Sequence, residues 1–185
     1  MRKQIILCTL AICLTATLSL KTYSQGTQQV IGNITIEGSR QGDFNEGNKK
    51  EKEIPIVGFA YNVQVPYDAS AGRATGKRHW EPIVVTKNID NASPQLFSAL
   101  VNSEVLKTVT VNMITAENGK QKEFQTIRLT NAVIVKISHF EGAGAPGKLI
   151  PNYTPMEEVS ILFQKIEIEG NKGKTISSDD WLIEK

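Results

Sequence analysis

Apolar and polar residues alternate along most of this chain. Successive side chains of a β-strand point to opposite faces, so a period of two predicts strands with one buried face. Val109, Val111 and Met113 form one such series. Further series are Val30, Ile34 and Ile36; Phe59, Tyr61, Val63 and Val65; and Ile127, Leu129, Val133, Val135 and Ile137. The pattern predicts an all-β sandwich or barrel.

The segment 159–168 departs from this alternation. Its apolar residues keep one parity as far as Phe163, and the other parity is shared by Leu162, Ile166 and Ile168. Either a bulge shifts the register, or both faces of one strand are covered. A neighbouring subunit would cover the second face, which makes Leu162, Ile166 and Ile168 candidates for a subunit interface. A strand between a sheet and a helix in a monomer explains the pattern equally well.

One segment is typical of a short helix. Ser93 is a favourable N-cap, and Pro94 suits the first helical position because its missing N–H costs nothing there. Leu96, Phe97 and Leu100 would then lie on one face. A helix this short is marginal alone, so we expect it to dock on the sheets.

The first 24 residues have the layout of a cleavable signal peptide. A basic start at Met1–Lys3 precedes an apolar run at Ile5–Leu20, and Thr22–Ser24 supplies small residues for cleavage. The run of about 16 residues is short for a membrane span, and no second run follows. We therefore expect residues 25–185 to form one exported domain, in the periplasm or outside the cell, without a stable membrane span.

Removal of that segment changes the composition. Both cysteines, Cys8 and Cys13, lie inside it, so the mature chain would have no disulfide, no thiolate nucleophile and no cysteine ligand for a metal. The whole chain has 21 basic and 19 acidic residues and a net charge of +2, whereas the mature part keeps 18 and 19 and is −1. This balance gives no basis for nucleic-acid binding.

The polar residues suggest no catalytic, metal or cofactor site. The mature chain has two histidines, His79 and His139, and no nucleophile elbow of the Gly-x-Ser-x-Gly kind, so both histidines are interpreted as structural. The glycine-rich run Gly72–Arg78 lacks the spacing of a phosphate-binding loop. The acidic pairs Glu157–Glu158 and Asp179–Asp180 are interpreted as solvated charges, because charged residues are mostly exposed.

Four stretches of the mature chain occur in a characteristic order. They are Gly76–Phe97, Thr126–Ala132, Glu157–Glu167 and Asp179–Trp181. Together they resemble the haemolysin-coregulated protein (Hcp) family, the tube proteins of type VI secretion. The resemblance implies a compact two-sheet β-barrel with one short helix and no enzymatic activity. It also implies a homo-oligomeric ring, a hexamer in this family, that stacks into a tube and meets spike, sheath or effector proteins.

The resemblance further implies an extended loop that reaches a neighbouring subunit or ring. The polar segment Gly38–Glu53 matches its position between early strands, whereas Tyr67–His79 is interpreted as an ordinary solvated loop. The candidate residues for this ring or stacking contact are Gly38, Gly42, Asp43, Asn45, Glu46 and Gly47. A signal peptide departs from the family, whose tube subunits assemble in the cytoplasm, and it favours an exported paralogue.

Two other functions stay open. One is an exported β-sandwich that binds a carbohydrate or protein ligand through aromatic residues on one open face; the aromatic residues in question are Trp80, Trp181, Tyr67 and Tyr153. The other is a hydrolase, which requires carboxylates to converge with His79 or His139 in one pocket.

Overall fold

The computed structural model describes residues 29–44, 52–117, 119–140, 155–171 and 173–182. These residues form antiparallel strands and one short helix, so the all-β prediction with a single helix is confirmed. Within the described residues, no helix has the length and apolar character needed to cross a membrane. The signal-peptide segment lies outside the described residues.

The strands follow one another closely along the chain. In order they are β1 (Gly32–Gly38), β2 (Gly42–Asp43), β3 (Ile54–Ile56), β4 (Gly58–Ala60), β5 (Val63–Gln64), β6 (Tyr67–Asp68), β7 (Arg73–Ala74), β8 (His79–Trp80), β9 (Ile83–Asn88), β10 (Leu106–Glu117), β11 (Lys120–Phe140), β12 (Met156–Leu162), β13 (Lys165–Gly170) and β14 (Thr175–Asp180). The helix α1 (Ser93–Val101) lies between β9 and β10.

Ten strands form one hydrogen-bonded sheet in the order β2-β1-β10-β11-β12-β9-β4, with β3 beside β1 and with β13 and β14 extending from β11. The 21-residue β11 organises the fold. Its first part pairs with β10 and β13, and its last part pairs with β12. Among the described strands, the hydrogen bonding does not close into a barrel. The buried core contains residues from strands paired with both parts of β11.

The core contains the inward rows of the paired strands. Ile34 of β1 lies opposite Val111 of β10, and Val111 lies opposite Ile127 of β11. All three are at most 2% exposed. Full burial of one such side chain contributes about 1.5–3 kcal/mol. The alternation therefore predicts the buried face correctly in β1, in β10 and in the first part of β11.

The inward face of β11 changes parity at Asn131. This residue has a left-handed backbone, with φ of +50°. Ala132 and Ile134 then point into the core, whereas Val135 is 41% exposed. The prediction that Val133 and Val135 continue the buried series is wrong, because an irregular residue in a strand reverses the faces beyond it.

The parity switch near the end of the chain is a strand break. β12 ends at Leu162, and β13 begins at Lys165 on the other part of β11. Phe163 lies between them and is 4% exposed. Of the two alternatives, the strand with two covered faces is wrong, since the two segments belong to different strands; the register does shift, but at a break and not at a bulge. Ile166 is consequently a core residue, 1% exposed.

The helix also differs in detail from its prediction. Ala92 occupies the cap position, Ser93 is already helical, and no side chain caps the N-terminus. The N-cap prediction for Ser93 is wrong, because its hydroxyl is used in a buried network described below. Leu96 is buried as expected, but Phe97 is 57% exposed and faces away from the core.

Candidate assembly surface

Residues 61–81 form an exposed β-hairpin, which we call the arm. Its outer pair joins Tyr67–Asp68 to Arg73–Ala74, and its inner pair joins Val63–Gln64 to His79–Trp80. Gly72 turns the chain at the tip with φ of +62°. Residues 61–77 are exposed, apart from a half-buried Asp68. The segment predicted as an ordinary solvated loop is therefore a structured hairpin.

An apolar stripe follows the first strand of the arm. Tyr61, Val63, Val65 and Tyr67 alternate with polar residues and are 36%, 46%, 49% and 65% exposed. The period-two pattern correctly predicts an extended strand here, but this stretch buries no core face in the single chain. Exposed apolar residues grouped in this way mark protein–protein contact sites. The alternation in the sequence is the signal for this surface, but a period of two does not distinguish an exposed apolar face from a core face.

The base of the arm is tied to the end of β14. The guanidinium Nε of Arg78 and the indole Nε1 of Trp80 both donate to Oδ2 of Asp179, the latter over 2.9 Å. Arg78 Nη2 also donates to the carbonyl of Asp180 over 2.8 Å. The Asp179 side chain is 18% exposed, so its interpretation as a solvated charge is wrong.

A row of aromatic rings connects the arm to the body. Ring centroids lie 6.0 Å apart for Tyr61 and Trp80, 5.5 Å for Trp80 and Phe163, and 6.1 Å for Phe163 and Trp181. Trp80 is 8% exposed and therefore packed. Trp80 is therefore not available to an open ligand-binding face, whereas Tyr67 and Trp181 are 65% and 45% exposed. Tyr153 lies outside the described residues.

A buried ion pair joins β9 to β12. Lys87 Nζ lies 2.9 Å from Glu157 Oε1 and 2.8 Å from Asp90 Oδ1. Lys87 is 1% exposed and Glu157 is 0% exposed. The interpretation of Glu157 as a solvated charge is therefore wrong, whereas Glu158 is exposed as expected. Because neighbouring strand residues face opposite sides, only one member of the pair reaches the interior.

Glu157 also contacts the helix and the neighbouring strand β11. Ser93 Oγ donates to Glu157 Oε1 over 2.6 Å, and His139 Nε2 lies 2.9 Å from Glu157 Oε2. Burial alone raises the pKa of Glu157, but the hydrogen bonds from Ser93, Lys87 and His139 outweigh it and hold the pKa below its ordinary value. The carboxylate stays ionised and connects three elements.

This network does not have the arrangement of a hydrolase. A Ser–His–acid relay needs the serine hydroxyl on the imidazole, but Ser93 donates to Glu157 instead. The described void beside Lys87 holds only about 10 Å³, far below the size of a substrate pocket. His139 and Glu157 do meet, but the Glu157 side chain is 0% exposed, so its carboxylate is closed to a substrate. His79 is exposed at the base of the arm.

A second buried carboxylate fixes the turn between β1 and β2. Glu104 is 2% exposed and accepts the backbone N–H groups of Arg40 and Gln41 over 2.7 and 2.9 Å. Burial raises its pKa, but these donors and the Gln41 side chain bring the pKa below its ordinary value. A side chain at Gly38 would place its Cβ 2.4 Å from Glu104 Oε1, so only glycine fits there.

The predicted reaching loop is thus held at its start. Gly42 adopts φ of +73°, and Asp43 makes an exposed ion pair of 2.6 Å with Lys52. Phe44 is fully buried in the core. Asn45, Glu46 and Gly47 lie outside the described residues.

The three interface candidates occupy different environments. Leu162 lies opposite Val133 at the end of β12, and both are half-buried. Ile168 is half-buried and packs against the core, while Ile166 is inside it. Of the three, Leu162 offers a partner the clearest surface, because it lies on the opposite side of its strand from buried Ile161.

Comparison with known proteins agrees with this architecture. Residues 19–169 match the family described as "Type VI secretion system effector, Hcp". The major exported protein of Pseudomonas aeruginosa is 32% identical over 160 residues, which span 84% of this chain and 91% of that protein. A crystal structure of an Hcp protein superposes with a TM-score of 0.74 at 27% identity, covering 83% of this chain and 98% of the other. The secreted protein Hcp3 from Pseudomonas aeruginosa gives 0.65 at 26% identity, covering 83% and 99%.

Proposed function

This chain belongs to the Hcp family of type VI secretion proteins, and from that premise we propose that it works as a ring-forming tube subunit and not as an enzyme. Identical copies associate side by side into a ring, a hexamer as in the family, and rings stack through the arm. The stacked tube carries or delivers effector proteins. The observation that carries this proposal is the apolar stripe of the arm, which one copy leaves exposed.

The arm is costly for a subunit that stays alone. A two-stranded hairpin is marginally stable in water, and this one exposes Val63, Val65 and Tyr67. Covering such side chains contributes roughly 25 cal/mol per Å² of apolar area, before the cost of association. A second copy is the natural cover in a self-assembling family. Because the arm and its receptor are different surfaces, the contact is heterologous, which is the kind that builds rings and stacks.

The side-by-side contact has a separate candidate surface. Leu162 and Val133 form a half-buried apolar pair on the outer face of the sheet, and Val135 nearby is 41% exposed. We assign this patch to the seam between neighbours in the ring, with Ile168 at its margin. The segment Gly38–Glu53 stays a second candidate for contact between rings, with its anchored start at Gly38.

Export is part of the same proposal. The related protein from Pseudomonas aeruginosa is called a major exported protein. Residues 1–24 would be removed as a signal peptide, and residues 25–185 would fold as one domain in the periplasm or outside the cell. Spike, sheath or effector proteins would be its further partners.

The direct test is to purify residues 25–185 and examine them by sedimentation and electron microscopy. We expect uniform rings that stack as the concentration rises. The V65D variant should keep the ring but shorten the stacks at least tenfold. T75D places the same charge on the polar side of the arm and should stack like the wild type. A protein that stays monomeric at every concentration would refute the tube proposal.

The proposed contact between neighbours in the ring is tested by a separate variant. L162E should release monomers, because a carboxylate buried in an interface without a partner costs several kcal/mol. T115E adds the same charge at the exposed end of β10 and should leave the ring intact. If L162E still forms rings, the contact between neighbours in the ring lies on another surface. The proposed role of the arm would not be affected.

A further inference from the structure

We infer that the end of β14 sets the direction of the arm, so that Arg78 and Asp179 are positioning residues for the contact between rings. This inference rests on the proposed function, since it takes the arm to be the stacking element. It adds a role for the C-terminal strand, which the ring and stacking surfaces do not themselves include.

The contact geometry suits an orienting clamp. The guanidinium of Arg78 binds two acceptors at once, the carboxylate of Asp179 and the carbonyl of Asp180. A planar guanidinium held at two points fixes direction as well as distance. Trp80 Nε1 binds the same oxygen of Asp179 from the next strand position but one. The side chains of Arg78 and Asp179 are 28% and 18% exposed, so water competes weakly.

Three distant segments meet at this point. Residues 78–80 contact residues 179–181, which lie about a hundred positions later in the chain. Phe163, at the break between β12 and β13, contacts Trp80 and also Trp181. The backbone N–H of Trp181 donates to the carbonyl of Gln164 over 3.1 Å, which ties the end of β14 to the same break. The base of the arm is therefore joined to the body, while residues 61–77 are exposed.

The arm is long enough for a small rotation at its base to move its tip by several ångströms. Six residues separate Arg78 from the tip at Gly72, which corresponds to at most about 20 Å at 3.3 Å per residue. A rotation of about 10° at Arg78 would then displace the tip by about 3.5 Å. Packed protein surfaces do not tolerate a shift of that size. Loss of the clamp should therefore weaken stacking without removing any stacking residue.

The test compares D179N with D180N. D179N replaces the carboxylate by a neutral amide, so the charge that holds the Arg78 guanidinium is lost. The Asp180 side chain instead accepts the local N–H of Leu182. Both variants change the net charge equally. We expect D179N rings of normal mass, amide hydrogen exchange in residues 61–81 about tenfold faster or more, unchanged exchange in the body, and stacks at least tenfold shorter. D180N should resemble the wild type.

Variants of Arg78, with Arg73 as the control, keep the inference testable if D179N fails to fold. R78Q should reproduce the fast exchange and the short stacks, R78K should recover them in part, and R73Q at the tip should change neither. Unchanged exchange in the arm of D179N and R78Q would overturn the inference, as would fast exchange with stacks of normal length. If the wild type forms no rings, the tube proposal fails, and the exchange comparison still decides whether the clamp exists.

Discussion

The body and the arm share one sequence pattern and use it differently. In β10, Val109 and Val111 alternate with polar residues and are fully buried. In the arm, Val63 and Val65 alternate in the same way and are nearly half exposed. A period of two specifies a strand with an apolar face, but it does not specify what covers that face. In the body the cover is the opposing part of the same sheet, and in the arm we assign it to another copy.

The polar groups of the body and the arm also differ, in the sequence distance to their hydrogen-bond partners. In the body, Glu157 binds Lys87 and Ser93, which are 70 and 64 residues away in sequence. Near the tip of the arm, Asp68 accepts hydrogen bonds from Ser70 and Ala71, within three residues. These local donors, the Ser70 hydroxyl first, lower the pKa of Asp68. Long-range bonds stabilise the body, whereas the arm has local bonds up to its base.

The largest effect is expected from breaking the buried network. E157Q removes the charge opposite Lys87, which keeps only Asp90 as an ionic partner. Removing one member of a buried ion pair costs about 3–5 kcal/mol, because the other charge stays buried. We expect the free energy of unfolding to fall by about 3 kcal/mol in urea titrations of the unassembled subunit.

E158Q is the matched control, since it makes the same change one residue later on the exposed face. Its unfolding free energy should stay within about 0.5 kcal/mol of the wild type. Equal losses in E157Q and E158Q would contradict a structural role for the network. Equal losses would also mean that burial of a carboxylate does not determine how much unfolding free energy its removal costs, which is the difference drawn between the body and the arm.

The sequence is sufficient to predict the strands but not their long-range registers. The alternation correctly identifies the inward faces of β1 and β10. It fails at Asn131 and at Phe163, where one irregular residue or a strand break reverses the faces. The alternation reveals the change of parity after Phe163 but does not distinguish a strand break from a bulge, and nothing in the pattern marks Asn131.

The charge network was equally hidden from the sequence. Glu157 has the parity of buried Val159 and Ile161, so the alternation could have placed it on the inward face, but its partners Lys87 and Ser93 lie on other elements. Arg78 and Asp179 are 101 residues apart, so their contact requires the folded sheet. The family resemblance did include both segments, Gly76–Phe97 and Asp179–Trp181, and the structure shows that they touch. Sequence order alone could not give that contact.

Acid should weaken the body before it changes the tip of the arm. The folded-state pKa values of Glu104 and Glu157 are both below the ordinary value of about 4.5. Their contribution is therefore complete above that pH and is lost as the pH falls through the lowered folded-state values. We expect the unfolding free energy to fall as the pH is lowered below about 4.5. The dependence of the unfolding free energy on pH should be shallower in the E104Q/E157Q double variant.

The arm supplies the comparison for this measurement. D68N removes a carboxylate whose hydrogen bonds are local, so the acid slope of the whole subunit should stay closer to that of the wild type than to that of the double variant. A slope as shallow as that of the double variant would mean that the arm and the body unfold as one unit. Urea titrations at several pH values on each variant decide between these outcomes.

The smallest effect, and the sharpest test of the contrast, comes from one substitution made twice. V65T in the arm should change the unfolding free energy of the free subunit by less than about 0.5 kcal/mol, because the side chain is already in water. V111T should cost about 1–3 kcal/mol, since it buries a hydroxyl in the core. If V65T costs as much as V111T, the stripe is already covered within the subunit and is not available to another copy. If V65T is neutral in the free subunit yet lowers the stability of the stacks, the cover is supplied by assembly, and one alternating pattern has served two different partners.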